Sequence, residues 1–474
     1  MRARRSTSRR VVAGGVQGNR NTQHGFFDLS IDAILEGYRS GTLNPEEIAR
    51  RCIGQVANHE ERCQAWVCFS PEYLMEQARA SGERLRNGEP ARLLEGIPVG
   101  VKDIINTLDF PTQMGSPIWK DFTPGNDARI VFYLRQQGAV IPGKTVTAEF
   151  AVHTLGKTLN PHDSARMPGT SSSGSAAAVA CGMVPAAFGT QTAGSIVRPA
   201  SFCGVYGCKP SFGLIPRTGM LKTTDSLDTV GYFTLHFSDL RRIFDVVHVQ
   251  GSNFPLSNAA LSDIPRQEKP EEKPWRVAVV KTHTWEYAPP YAQRALNRWA
   301  DTLAESDGIE LDEKELPKGM DQAHEIHATI YNKTLSYYFK EEFKRGELVS
   351  PIMKDLIREG NAITTEAYLH ALRAQQRLAT RMDGFFKGYD LLLSLATAGE
   401  APLREKPELP DPALQWTLTH LPVISAPVFR SPRGLPFGVQ LVARRYNDYL
   451  LFHFAEHLRT QRLIPEGPYP RISE

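Results

Sequence analysis

The chain has 474 residues, 41% of them hydrophobic and 23% charged, a balance that excludes disordered and fibrous classes. The net charge is +3, but six arginines stand among the first twenty residues with no acid beside them, and the remainder is net acidic. That removes the basic footprint that nucleic-acid binding needs, and no apolar run reaches the roughly 18 residues of a membrane span.

Residues 1–25 read as a basic, disordered tail, with organellar import a weaker reading of the same arginines. From Phe26 the pattern turns helical. Ser30 is placed to cap a first helix that stops at Gly41, and Asn44 with Pro45, Glu46 and Glu47 to start a second. Residues 64–69 read as a strand and 71–86 as a helix. Residues 94–106 (LEGIPVGVKDIIN) follow as a buried strand with Lys102 in its middle. A lysine there must be paired or functional, and Asp103 points to the other face of a strand, so Lys102 reads as functional.

Residues 127–137 read as an amphipathic helix and 139–141 as a short strand. GAVIPGKT, residues 138–145, matches the phosphate-binding GxxxxGK[ST] pattern. Here, however, a helix precedes the first glycine, the strand falls inside the loop, and Pro142 removes a backbone donor. The match is read as coincidental, and a nucleotide-binding module is kept as the alternative of a different class.

Residues 168–210 (PGTSSSGSAAAVACGMVPAAFGTQTAGSIVRPASFCGVYGCKP) are the chemical centre. Gly/Ser turns let backbone N–H groups approach a bound anion closely, whereas the apolar segments between them demand burial, unlike a linker. Later, 238–250 reads as a helix, 251–274 as a polar surface connection and 275–280 as a strand. Residues 291–382 are mostly helical, 389–394, 421–427 and 437–442 read as strands, and 447–461 as a last helix. The interleaving argues a single large α/β domain over 26–465, with a central mixed, mostly parallel twisted sheet flanked by helices. Six cysteines without CxxC or zinc spacing point to free thiols and the cytoplasm. His324 and His327 lack HExxH spacing and read as a solvated or packed helix face, so no metal site is expected.

Ser195 follows Thr192, Ala193 and Gly194, whose N–H groups can converge on one point, as an oxyanion hole requires. A nucleophilic serine needs a base; there is no GxSxG, and a buried neutral lysine can replace histidine. The segments GIPVGVKD, PGTSSSGSAAAVA, GTQTAGSIVRPASFCGVYGCKPS and LPVISAP with GLPFGVQLVA resemble the amidase signature family, with a core match over about 94–220. The resemblance implies an acyl-transferring amidase without cofactor. In it Ser195 is the nucleophile, Ser171 a bridging serine after a cis peptide, Lys102 the base, Ser172 and Gln191 loop supports, and Thr192, Ala193 and Gly194 the oxyanion hole. A non-proline cis bond costs about 3–4 kcal/mol and persists only where the surroundings fix it.

This sequence departs from the family at Thr170 and Ser173, where glycines are usual. Gln191 replaces an acid, and Val197 an arginine, with Arg198 one place on. The last two changes together read as a neutral contact in place of an ion pair. Residues 285–390 are the variable substrate region, with Tyr331 and Trp416 as candidate pocket residues. The substrate is expected to be a small-molecule amide, and a homodimer is left open. The runner-up within the family is the glutaminase component of a tRNA-dependent amidotransferase.

Overall fold

The computed structural model describes residues 26–468; the expected basic tail, residues 1–25, lies outside them. One sheet of eleven strands runs through the described residues in the order β1-β3-β2-β4-β6-β5-β10-β11-β9-β7-β8. The first six strands are β1 (Trp66–Phe69), β2 (Val99–Lys102), β3 (Gly143–Thr145), β4 (Ala186–Gln191), β5 (Tyr206–Lys209) and β6 (Thr229–Thr234). They are followed by β7 (Trp275–Val280), β8 (Ile309–Lys314), β9 (Leu391–Leu395), β10 (Val423–Arg430) and β11 (Pro436–Ala443). Helices cover the sheet, which bears out the α/β class and the single large domain. No helix of the described residues is long and apolar enough to cross a membrane.

The sheet is mixed, but it is less parallel than expected. β2 lies parallel to β3 and β4, and β7 to β8 and β9, whereas every other pairing is antiparallel. A short turn makes β10–β11 a hairpin, and β6 returns beside both β4 and β5; each device forces antiparallel neighbours.

Local chemistry sets many element ends. Ser30 accepts from the Ala33 N–H at the start of Ile31–Ser40, which closes at Gly41 in the left-handed region (φ 71°). Asn44 and Glu47 form a reciprocal capping box, with Pro45 in the first turn. Two expectations need correction. The strand expected at 139–141 is only a single bridge from Val140 to Pro98, because Pro142 has no N–H to continue a ladder; pairing resumes at Gly143. The connection 251–274 contains two short helices, Pro255–Leu261 and Ile264–Gln267.

Three parallel strands position the site. β2, β3 and β4 are fully buried; β2 and β3 end level at Lys102 and Thr145, and β4 runs on past them to Gln191, so residues at their carboxyl ends meet. The helix Ser173–Ala180, made of small residues, packs on these strands.

Candidate active site

Lys102 ends β2 with no exposed surface. Its Nζ lies 2.9 Å from Ser171 Oγ, 3.0 Å from Ser172 Oγ and 2.8 Å from Thr190 Oγ1. The serines reach it because they immediately precede the helix Ser173–Ala180, and Thr190 because β4 runs parallel beside β2. Ser172 donates to the Thr190 carbonyl (3.1 Å) and accepts from the Thr190 N–H (3.2 Å), locking the serine loop to β4. Gly189 makes room for this contact: a Cβ there would sit 2.8 Å from Ser172 Oγ.

Burial holds the Lys102 ammonium well below its ordinary value, although the Asp228 carboxylate pulls the other way. Three hydroxyls satisfy the amine's hydrogen bonds without supplying a counter-charge, so the neutral form is favoured. Asp103 points away, as strand alternation requires, and pairs with Lys144 (3.6 Å). Lys144 also donates to the Ile105 carbonyl and Thr112 Oγ1, each at 2.7 Å. GKT of the phosphate-loop match is therefore β3 itself, with its lysine buried in a structural pair, and the nucleotide-binding alternative falls.

β4 turns at Gln191 into residues 192–195, and Ser195 stands 8% exposed just before the helix Val197–Cys203. Gln191 Oε1 accepts from the Ile196 and Val197 N–H groups (2.8 and 2.9 Å), and its Nε2 donates to Thr417 Oγ1 (2.9 Å). The contacts of Gln191 are thus neutral. Arg198, in turn, lies 2.5 Å from Glu408 Oε2 and 3.3 Å from Asp411 Oδ2.

Every carbonyl of residues 192–194 is engaged. His327 Nε2 meets Thr192 O at 2.8 Å, Thr417 Oγ1 donates to Ala193 O at 2.5 Å, and the Arg198 N–H donates to Gly194 O at 2.8 Å. Thr192 Oγ1 donates to Asp228 (2.8 Å), which the register of β4 against β6 puts alongside. The N–H groups of Ala193, Gly194 and Ser195 have no acceptor among the described residues. Ala193 and Gly194 belong to the oxyanion hole expected from the sequence, with Ser195 rather than Thr192 beside them here. Unengaged donors in a turn whose carbonyls are held can receive negative charge.

Ser171 and Ser195 are not hydrogen-bonded to each other. The peptide before Ser171 is trans, as are all described peptides, which corrects the expectation of a cis bond. Thr170 carries a Cβ and hydrogen-bonds Glu408, and the Ser171 hydroxyl reaches Lys102 from the ordinary trans form.

A cavity of about 800 Å³ opens at this turn, lined by Thr170, Ala193, Arg198, His324, Glu408 and Asp411 among others. Trp416 does not line it: its side chain has no exposed surface and belongs to the core. Tyr331 is likewise buried, its ring tilted against His327 and edge-on to His153, so the aromatic helix face packs rather than opens. The helix face that carries His327 is packed, as one of the two readings had it, and it packs directly on the turn before Ser195. Thr190, Asp228, Asp411 and Thr417 carried no local sequence signal at all. Their partners lie on other strands and helices, and only β4's pairing with β6 places Asp228.

The amidase family model matches residues 47–452. Among curated relatives, a glutamyl-tRNA(Gln) amidotransferase subunit from Bdellovibrio bacteriovorus is 28% identical, over 94% of this chain and 99% of that protein. The protein of the same description from Chloroflexus aggregans is 30% identical, over 90% and 95%. Among solved structures, a chain of a vestigial complex bearing on the origins of an s-triazine catabolic enzyme is 26% identical and superposes with a TM-score of 0.82, covering 93% of this chain and all of that one. A peptide amidase in complex with chymostatin, 24% identical, shares the fold with a TM-score of 0.80 over 94% and 99%. The match takes in Lys102, Ser171 and Ser195 and most of the chain around them: this protein is an enzyme of the amidase family.

Proposed function

We propose that the chain hydrolyses a carboxamide C–N bond to carboxylate and ammonia or amine through an acyl-Ser195 intermediate. The observation that carries this reading is the buried Lys102 amine, ringed by three hydroxyls and no carboxylate. A neutral amine has two N–H donors and one lone pair. Ser172 already uses its proton on the Thr190 carbonyl, so it takes an N–H from Lys102, and Thr190 Oγ1 takes the other. The lone pair is left for the Ser171 hydroxyl proton, and Ser171 Oγ can in turn accept the proton of Ser195.

As Ser195 Oγ bonds to the carbonyl carbon, its proton passes to Ser171 and that of Ser171 to Lys102. The carbonyl oxygen becomes an oxyanion facing the N–H groups of Ala193, Gly194 and Ser195. Collapse breaks the C–N bond while the proton returns along the same path to the leaving nitrogen. Water then repeats the sequence on the ester, releasing the carboxylate and restoring Ser195.

The relatives favour a specific amide. The two curated relatives from glutamyl-tRNA(Gln) amidotransferases align over nearly their whole length, which supports glutamine as substrate and a partner protein that takes up the ammonia. The other reading is a stand-alone amidase acting on small linear amides. Ammonia release from glutamine and from a panel of simple amides, by wild type and Ser195→Ala, first without and then with an amidotransferase partner and ATP, separates them. Turnover of simple amides supports the stand-alone enzyme. Turnover of glutamine only after a partner is added supports the amidotransferase reading. An active Ser195→Ala variant overturns the acyl-enzyme in both.

A further inference from the structure

Two helices remote in sequence from the nucleophile close on the back of its turn. His327 lies in Ala323–Tyr338, within the variable substrate region, and Thr417 in Leu414–Leu418. Each holds one carbonyl of residues 192–194. In a trans peptide the C=O and the following N–H point in opposite directions within one plane. Fixing the Thr192 carbonyl therefore aims the Ala193 N–H, and fixing the Ala193 carbonyl aims the Gly194 N–H. The Gly194 carbonyl, held by the Arg198 N–H, aims the Ser195 N–H in the same way.

We infer that His327 and Thr417 are positioning residues that preset the anion-binding N–H groups of Ala193 and Gly194 through the opposite ends of their peptides. This rests on the acyl-transfer reading above.

The chemistry of both side chains fits that task. A carbonyl only accepts, so His327 donates through Nε2–H, which requires no positive charge. Burial pushes the His327 imidazole down to about 4, so it remains a neutral donor through the physiological range. His153 and His324 act in the same direction, and the Thr192 carbonyl opposes them. The Tyr331 ring packs against His327 at a tilt of 31°, which limits the room the imidazole has to turn. The Thr417 hydroxyl is oriented from behind by Gln191, whose amide fills the oxygen's acceptor site and leaves its proton for Ala193. Gln191 also binds the Ile196 and Val197 N–H groups, so one side chain fixes both the nucleophile helix and the carbonyl clamp. Without these clamps a peptide flip would turn an N–H away from the oxyanion and point a carbonyl at it. The ground state binds with little dependence on these donors, whereas the tetrahedral state needs them.

The test uses the full chain, an amide that the wild type hydrolyses, and a boronic acid that forms a tetrahedral adduct on a nucleophilic serine. Thr417→Val removes the donor at constant shape, His327→Phe keeps the ring without the donor, and His327→Gln restores an N–H donor. Thr417→Val and His327→Phe should each lower kcat by roughly ten- to a hundred-fold with KM changed less than about three-fold, less than the loss from deleting an oxyanion donor outright. Boronate affinity should fall in step with kcat/KM, and His327→Gln should recover most of both. The inference is overturned if the folded variants raise KM while leaving kcat intact, if boronate affinity is unchanged, or if His327→Gln melts like wild type yet recovers nothing. Wild-type turnover that survives in Ser195→Ala defeats the acyl-transfer reading itself, and the inference with it; an inactive Ser195→Ala beside clamp variants that keep kcat and boronate affinity defeats the inference alone.

Discussion

Lys102 and Lys144 stand at the carboxyl ends of two adjacent parallel strands, in register within a residue of each other, and both are fully buried. Only their partners differ. Lys144 faces Asp103 along with a backbone carbonyl and a threonine, and burial lowers it only to about 8 because the carboxylate holds the charge. Lys102 faces three hydroxyls, and nothing within contact distance supports a charge. One is a structural ammonium; the other is placed as the proposed mechanism asks of its base. A buried lysine is thus assigned by whether its neighbours supply a counter-charge or only hydrogen-bonding capacity.

The largest effect that tests the contrast is on catalysis. Lys102→Met should lower kcat at least about a thousand-fold, as loss of a triad member does, while the melting temperature changes little because a neutral group is replaced by an apolar one of similar length. Steady-state kinetics and a thermal melt on the same preparation check it. An enzyme that unfolds without losing specific activity would make Lys102 structural after all.

Lys144→Met should do the reverse. It leaves the buried Asp103 with the Gln113 N–H but without its counter-charge, which costs about 3–5 kcal/mol of stability by denaturant titration. The folded fraction should keep kcat within a few-fold, since Lys144 touches none of the reacting hydroxyls. Loss of catalysis with stability intact would bring the phosphate-loop match back into consideration.

The same contrast explains what could be read from the sequence. A lysine inside an apolar strand run, followed by an aspartate that must face the other way, is enough to single out Lys102. The capped helix starts at Ser30 and Asn44 and the Gly/Ser turns are equally readable, because their signals are local. β8 (Ile309–Lys314) escapes notice because it is an edge strand whose alternation stops after Ile309 and Leu311, its last three residues being charged and exposed. His327 and Thr417 escape because a histidine or threonine on a helix carries no mark of which distant carbonyl it will meet. Trp416 misleads for the opposite reason: an aromatic beside a loop suggests a pocket, but its bulk lies in the core.

The pH dependence follows from Lys102 being depressed. Catalysis needs the neutral amine, so kcat/KM should rise with pH, about ten-fold per unit, and level off above the lowered folded value, far below the usual 10.5. Stability has the same sign. Between the folded value and the ordinary one the unfolded chain binds the extra proton, so wild-type stability climbs with pH there and falls as the medium is acidified. Lys102→Met should lack that slope. A parallel pH course of stability in the two proteins would mean that Lys102 is charged in the folded state.

The smallest effect probes the hydroxyl cage itself. Thr190→Val keeps the shape of the side chain but removes the acceptor at 2.8 Å from Lys102, leaving one amine N–H unpaired in the core. One neutral hydrogen bond is worth about 1 kcal/mol, so kcat should fall roughly five-fold, with a similar loss of stability. The direction of the pH shift is the sharper readout. A charged amine uses three donors and a neutral one only two, so deleting an acceptor penalises the ammonium more than the amine. The rising limb of the pH profile should therefore move to lower pH. A move to higher pH would mean that Thr190 donates its proton to the lysine lone pair, and that Ser171 receives an N–H instead of giving up its own proton.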